Sequence, residues 1–461
     1  MKKTKIVATL GPAACDYGSI RRFISAGVNV FRLNFSHGDP DFFIKAISSI
    51  KRARDSSGAS AAILQDLQGP KIRVEKFEGS FSVKKGETLV IKNIAPFDAA
   101  ASKEIGVDFP DLYKYLKPAM KILINDGLVQ LIVKAVKRTD IICYVTAGGT
   151  IEPRKGVNLP GAELPLSSMT KKDKKDLLFG LKQGVDIISL SFVRSAGDIR
   201  ELKSLIKGKK KPLIIAKIEK PEAVKDIAAI LDESDGIMVA RGDLAVEAGF
   251  DRIPEMQKTL IRKANEKGKI VIVATQMLES MINNPFPERA EITDVYNAVL
   301  DGAGALMLSG ETSVGKYPVK TAGVMADLIK KAEAELRRSP GPAVEAVTME
   351  NIYENSAAYA GAAMQKMVPA CELAAKIKNV SDVRYLSGYR PEKAVIACVN
   401  DRALFQKLAI YRGMHPVFMK NAGEASAARF VRLNIRNARN LVFVDLHAVS
   451  GQAARVSVMK I

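Results

Sequence analysis

Apolar residues fall along this chain in short blocks, not spread evenly. Eight blocks lie in the first two thirds: "TKIVATL", "VNVFRLNF", "AAILQDL", "VDIISLSF", "PLIIAKIE", "GIMVARGD", "KIVIVATQ" and "ALMLSGE". Within each block successive positions are apolar, so both faces of the extended chain are hydrophobic, which predicts buried parallel strands. Between blocks the apolar spacing widens to three and four, as in "SIRRFISAG", "EMQKTLIRKANEKG" and "AEITDVYNAVLDG". These predict helices, many closing on a glycine suited to a helix C-terminus. Eight strand–helix units at this spacing predict a (β/α)8 (TIM) barrel. An open doubly wound sheet is the structural alternative.

One interval breaks the rhythm. From Pro70 to Leu166 the pattern alternates with period two, as in "FSVKKGETLVI" and "KILINDGLVQLIVKAVKRTDIICYVTAGG", and "NDGL" is a hairpin signal. This predicts a small β-barrel lid domain inserted after the third strand, able to close over the barrel mouth. Downstream, "RRSPGPAVEAV" reads as a linker to a third region with its own α/β pattern, including "PEKAVIACVN" and "NLVFVDLH". The expected division is residues 1–69 and 167–340 for the barrel, 70–166 for the lid and 346–461 for a divergent C-terminal α/β domain.

Composition narrows the class. A chain of 461 residues exceeds one ordinary core. With 47% hydrophobic and 26% charged residues it belongs with globular proteins. The opening "MKKTKIVATLGP" is broken by Gly11-Pro12 too early for a leader, and no apolar run reaches membrane length. Four scattered cysteines and three histidines argue against zinc, haem or a disulfide framework and for a cytoplasmic setting. The net charge of +20 suits anionic substrates through steering. Nucleic acid is the competing partner, but the chain has no Trp, few aromatics and no recognisable binding module. Near the end, Arg429, Arg432, Arg436 and Arg439 recur at helical spacing, which reads first as a solvated basic face.

In a barrel of this kind chemistry gathers at the C-terminal ends of the strands, and here those ends are polar. The second strand gives Arg32, Asn34, Ser36 and His37; the third gives Asp66 and Arg73; the fifth carries Lys217 and Glu219 within "IIAKIEK". The sixth ends in Arg241, Gly242 and Asp243, the seventh in Thr275 and Gln276, the eighth in Ser309, Gly310 and Glu311. Glu219 and Asp243 can offer two carboxylates to Mg²⁺, which binds through one or two carboxylates plus substrate oxygens and water. Lys217 and Arg32 offer fixed positive charge to a phosphoryl group in transfer. The segment "GETSVGK" imitates a phosphate-binding loop, but Tyr317 stands where that motif needs Ser or Thr.

The segments "KTKIVATLGPA", "FRLNFSHG", "KGVNLPG", "IIAKIEKPEAV", "DGIMVARGDLAVE", "VATQMLESM" and "MLSGETSVGKYPV" resemble the signature segments of the pyruvate kinase family. The resemblance is strong over residues 3–335 and weak beyond. It implies phosphoryl transfer from phosphoenolpyruvate to ADP, with Mg²⁺ (or Mn²⁺) held by Glu219 and Asp243. It further implies Arg32 and Lys217 on the phosphoryl group, and Gly242, Asp243 and Thr275 around the substrate carboxylate. Thr275, Ser309 and Glu311 become the route for protonating the enolate. Asn34, His37, Arg73 and Lys155 become nucleotide contacts, and a homotetramer becomes the expected assembly. Two neighbouring readings are an aldolase or lyase on a related barrel and a basic binding protein that has lost catalysis.

Two departures from the family carry expectations of their own. Where most members have Asp-Thr-Lys-Gly-Pro-Glu and a K⁺ among Asn, Ser, Asp and Thr, this chain keeps Asn34, Ser36 and Asp66. Leu67, Gln68 and Lys71 replace the Thr, Lys and Glu. An ammonium at Lys71 would repel K⁺ and supply its charge, so activity without K⁺ is expected; Lys71 pairing with Asp66 is the plainer alternative. Before Tyr389-Arg390-Pro391 the usual phosphate-cradling loop is replaced by "IKNVSDVRYLSG". Activation by fructose 1,6-bisphosphate at that site is therefore not expected.

Overall fold

The computed structural model describes residues 1–93, 97, 103–162, 164–208, 211–336, 352–447 and 454–461. The expected linker between barrel and third region lies outside these residues.

The eight apolar blocks form β1 (Lys5–Thr9), β2 (Val30–Asn34), β3 (Ala62–Asp66), β12 (Ile187–Leu190), β13 (Leu213–Ile218), β14 (Gly236–Ala240), β15 (Ile270–Ala274) and β16 (Ala305–Leu308). They close as a parallel barrel in the order β1-β16-β15-β14-β13-β12-β3-β2. Their apolar residues are buried on both faces because one face fills the barrel and the other meets the surrounding helices. Register decides which polar ends become neighbours. Thr9 pairs with Arg32, Asn34 with Asp66, and Asp66 with Ser189.

Between β3 and β12 come β4 (Phe81–Val83), β5 (Thr88–Lys92), β6 (Glu104–Gly106), β7 (Lys121–Ile124), β8 (Val129–Lys137), β9 (Asp140–Ala147), β10 (Gly149–Ile151) and β11 (Val157–Asn158). They make a six-stranded sheet, β11-β7-β8-β9-β5-β6, and a two-stranded ribbon, β10-β4. The insert is thus a half-barrel with its own apolar core, including Leu89, Ile122, Leu131 and Val145. The "NDGL" signal holds: Asn125, Asp126 and Gly127 all take positive φ between the antiparallel β7 and β8.

Both crossings between barrel and insert are tied to one side chain. Asp173 accepts from the Gly69 amide through one oxygen and from the Thr170 amide and hydroxyl through the other. Thr170 caps the helix Lys171–Gln183 in return. Gly69 turns the chain with φ +71, and a Cβ there would lie 2.7 Å from the Phe192 ring, so both conformation and space require glycine.

The C-terminal domain has a five-stranded sheet of β17 (Cys371–Lys376), β18 (Val395–Val399), β19 (Met414–Phe418), β20 (Asn440–Asp445) and β21 (Arg455–Lys460), in the order β19-β18-β17-β20-β21. Only β21 runs antiparallel. This domain plugs the N-terminal end of the barrel. Barrel residues such as Val7, Leu64, Met238 and Ile272 share one apolar cluster with Leu373, Val395 and Phe405. Polar ties cross the same seam: Lys5 Nζ to the Met414 carbonyl (2.5 Å), the Ala61 amide to Gln406 (2.9 Å) and Arg384 to Asp235 (2.6 Å). The opposite end of the barrel faces the insert. No helix among the described residues is long and apolar enough to cross a membrane, and the four cysteines are free.

Candidate active site

At the insert-facing end, Asp66 is the hub. It is 1% exposed and sits where β3 ends. Its Oδ2 accepts from Arg32 Nε (2.8 Å) and Nη2 (2.6 Å), a two-pronged pair that fixes the guanidinium plane. Its Oδ1 accepts from the Ser189 hydroxyl (2.7 Å) and lies 3.5 Å from Lys217 Nζ. Burial pushes the Asp66 carboxyl up, but Lys217 and Arg32 outweigh it and hold it below the ordinary range.

Lys217 is likewise fixed from several sides. Its ammonium lies 2.8 Å from Glu219 Oε1 and donates to Ser191 Oγ (2.8 Å), whose own hydroxyl donates to the Leu67 carbonyl. Burial opposes the charge, but Asp66 and Glu219 overcome it and raise Lys217 to about 12. On Arg32, Nη1 donates to Thr9 Oγ1 (3.0 Å). Two cations and two carboxylates are thereby interlocked at the ends of three strands, β2, β3 and β13.

Whether these residues suit a divalent cation can be judged from Glu219. Its Oε2 accepts from the Phe192 amide (2.7 Å). Burial pushes its carboxyl up, Lys217 pulls it back, and the Asp243 carboxylate adds to the push. A buried carboxylate whose ionisation a second carboxylate opposes is what a hard cation relieves, and one or two carboxylates is the number Mg²⁺ takes from protein. Among the described residues no group of three or more His, Cys, Asp or Glu forms a larger metal cage. The donor set therefore fits Mg²⁺.

Lys71 does not pair with Asp66. Its Nζ lies 3.6 Å from Asp243 Oδ1, with both side chains about a quarter exposed (26% and 29%). Asp66 is already saturated by its other partners, and the ammonium reaches across to the first turn of the helix Arg241–Ala248, where Arg241, Gly242 and Asp243 open a helix just past the sixth strand. Its stem runs under the insert, where a Cβ on Gly156 would sit 2.7 Å from Lys71 Cε. Around the expected monovalent-cation position, Asn34 Oδ1 accepts from the Ser36 amide, and Leu67 brings an apolar, buried side chain with no oxygen.

Thr275 occupies a strained turn. Its φ is +79 and that of Gln276 is +54, left-handed values that a β-branched residue rarely adopts. Such strain costs about 1–3 kcal/mol and persists only where the surroundings over-determine it. Arg241 does so: Nε and Nη2 donate to the Thr275 carbonyl, Nη2 reaches the Gln276 carbonyl, and Asp294 holds Nη1 at 2.8 Å. Gly242, in the first turn of the helix Arg241–Ala248, approaches so closely that a Cβ would stand 3.0 Å from Thr275 Cγ2. Arg241 therefore turns away from the mouth, while the first amides of its helix, Thr275 and Asp243 come together.

Glu311 is 2% exposed, and its oxygens accept from the Leu278 amide (3.1 Å) and the Ser309 amide (2.6 Å). It braces the loop after β16. His37 is kept low by burial and then by Arg73, Arg32 and Lys71, which places it among these cations. Arg73 donates to the Arg154 carbonyl and Lys155 pairs with Glu152 (2.9 Å), both within the insert. Thr9 comes from the polar end of β1, "TLGP"; Ser189 of β12 and Ser191 just after it carry no expectation from the sequence. The signal was present in "ISLSF", where two hydroxyls at alternate positions face one way in an otherwise apolar strand.

Comparison with known proteins points to one family. The family described as pyruvate kinase, barrel domain, matches residues 1–322. Pyruvate kinase 2 of Synechocystis sp. is 38% identical over 475 residues, covering 100% of this chain and 79% of its own length. The pyruvate kinase of Clostridium perfringens is 39% identical over 431 residues, covering 90% of this chain and 88% of itself. That of Corynebacterium efficiens is 46% identical over 340 residues, with 73% and 71% covered. The likeness thus spans barrel, insert and much of the C-terminal sheet, and the chain belongs to the pyruvate kinase family.

Proposed function

We propose that the chain transfers the phosphoryl group of phosphoenolpyruvate to ADP at the insert-facing end of the barrel, and that it does so without K⁺. The observation that carries the reading is the interlocked Arg32–Asp66–Lys217–Glu219 cluster at the strand ends. Phosphoryl transfer is mostly positioning and charge stabilisation, and this cluster holds two cations in place before substrate arrives. Asp66 fixes the Arg32 plane, while Ser191, Asp66 and Glu219 fix the Lys217 ammonium, so little reorganisation is needed as charge develops.

Glu219 and Asp243 would hold Mg²⁺, which supplies charge neutralisation for the phosphoryl and carboxylate oxygens when bound. The amides opening the helix Arg241–Ala248, with Thr275, bind the substrate carboxylate. Thr275 and Ser309 remain the groups for passing a proton toward the enolate, and Glu311 positions that loop through its amides. Asn34, His37 and Arg73 form the nucleotide-facing edge, joined from the insert by Lys155. Replacing Lys217 with Met tests the assignment: phosphoryl transfer should vanish with the fold intact, and wild-type turnover would remove Lys217 from its role.

Lys71 takes the place of K⁺ in this reading. The Leu67 side chain offers no oxygen, Asp66 is saturated, and the ammonium sits beside Asp243. Lack of response to fructose 1,6-bisphosphate is supported by Asp382. Its Oδ2 accepts from the Lys378 and Asn379 amides (2.8 and 3.2 Å), and its Oδ1 meets His447 Nε2 (2.7 Å). The loop's own carboxylate thus occupies donors that a phosphate would need. Turnover titrated with the bisphosphate should stay flat.

For assembly, a homotetramer is the reading we adopt. The helix Ile352–Met367 leaves Ile352, Tyr353, Tyr359 and Met367 exposed, and the outer strand β21 exposes Val458. Light scattering after size exclusion tests this; a monomer would refute it.

A further inference from the structure

A cavity of about 490 Å³ lies in the C-terminal domain, far from the insert-facing chemistry. It falls within the size range of sites for small molecules, roughly 300–1,000 Å³. Glu372 near the start of β17, Lys393 and Ala394 just before β18, and His415 near the start of β19 line it from the sheet. Phe430, Ile435 and Arg436 line it from the helix Glu424–Asn434 and the turn that follows. That helix ends at Asn434, so the four arginines do not form one helical face; Arg436 alone among them borders the cavity.

The lining combines two chemistries. The rings of His415 and Phe430 lie 6.5 Å apart at 37°, and with Ala394 and Ile435 they give an apolar wall. Burial and the nearby Lys5 push His415 down to about 4, so its ring is neutral at physiological pH and suited to stacking. Lys393 and Glu372 neutralise each other at 2.8 Å. Arg436 is exposed and has no ion-pair partner among the described residues. Buried Lys5 nearby donates only to the Met414 carbonyl. The balance of charge at this wall is therefore positive.

We propose that this cavity binds a small anion carrying a flat unsaturated ring, with the ring against His415 and Phe430 and the anionic group on Arg436. The site lies at the N-terminal ends of the parallel strands. Its neighbour Met414 is bonded to Lys5 of β1, so an occupant rests directly on the seam between the C-terminal domain and the barrel.

The full-length chain, with Mg²⁺ and ADP saturating the active site, can be titrated by fluorescence with 8-anilinonaphthalene-1-sulfonate. N-phenyl-1-naphthylamine, with the same rings and no sulfonate, is titrated in parallel. One sulfonate per chain is expected. Arg436→Glu, an exposed change, should weaken the sulfonate about tenfold or more, as expected for losing a charge-assisted contact, and leave the naphthylamine within about twofold. Asn434→Trp, also exposed and lining the cavity, should weaken both by filling it. Unaltered melting temperatures confirm that both variants fold. Sulfonate binding that ignores Arg436→Glu, or that survives Asn434→Trp at full stoichiometry, would overturn the assignment.

Discussion

The proposed role of Lys71 rests on one ammonium. The side chain can be shortened to its own stem by Lys71→Met, which keeps the packing on Gly156 and removes only charge. At 3.6 Å from Asp243 Oδ1 the pair is worth about 1 kcal/mol at the dielectric of water and about 4–5 kcal/mol at an effective value near 20. With both side chains a quarter exposed, an intermediate value of about 2 kcal/mol is reasonable, or roughly 30-fold in kcat/KM if the transition state feels it in full. The assay is pyruvate formation from phosphoenolpyruvate and ADP with Mg²⁺, in tetramethylammonium buffer, with and without K⁺. Wild type should be indifferent to K⁺. Lys71→Met should lose about 30-fold, and K⁺ should not restore it, since Leu67 gives no oxygen and Asp66 has none free. Adding Leu67→Thr together with Lys71→Glu should create K⁺ dependence. A wild-type enzyme that needs K⁺, or a Lys71→Met variant with full activity, would refute the reasoning.

Three further outcomes follow from the same geometry. Asp66→Asn breaks a buried pair and leaves Arg32 without its counter-charge, so urea unfolding should show a loss of about 3–5 kcal/mol. Because the folded Asp66 carboxyl lies below its unfolded value, this contribution is present above the unfolded pKa and lost as pH falls through the folded one; wild type and variant should converge in acid. Arg241→Met removes the brace on the left-handed Thr275 turn and should lower kcat more than it raises the KM for phosphoenolpyruvate; an unchanged kcat would show that the turn holds itself. His415 is held at about 4 when folded against 6.5 unfolded, so protons favour the unfolded chain as pH drops from 6.5 to 4, costing up to about 3 kcal/mol. His415→Phe should flatten that decline in thermal melts across the same window.

Legibility in the sequence followed burial. The barrel was readable because eight strands covered on both faces are apolar at most positions, and each "TKIVATL"-like block states that locally. The polar strand ends were readable because a carboxylate or cation on such a strand is costly unless used. Lys217 and Glu219 within "IIAKIEK" are of that kind. Ser189 and Ser191 were missed for the complementary reason: a hydroxyl is cheap enough in a strand to pass unnoticed, and only the register of Ser189 with Asp66 reveals it. The partner of Lys71 was beyond reach, since it depends on Asp66 being saturated by residues from other strands. The closure of the insert was also a tertiary matter. Alternation fixes that strands have a dry face, but not that β10 leaves the main sheet to pair with β4.

Charge counting joins these observations. Within the ion-paired set at the barrel mouth, Arg32, Lys217 and Lys71 face Asp66, Glu219 and Asp243, three against three. The net charge of +20 therefore does not reside in this set. A balanced set adds little net field of its own, and it would become attractive to polyanions if Glu219 and Asp243 held a divalent cation. Metal loading and substrate binding should then be coupled, each strengthening the other by the reciprocity of linkage, while the surface cations steer without choosing the pose. On this account the proposed role of Lys71 extends to the charge balance of the whole set. Removing it would leave the set one negative charge in excess, so Lys71→Met should bind Mn²⁺, read by its paramagnetic signal, more tightly than wild type even as turnover falls. Weaker Mn²⁺ binding in that variant would mean that Lys71 organises the carboxylates instead of balancing them.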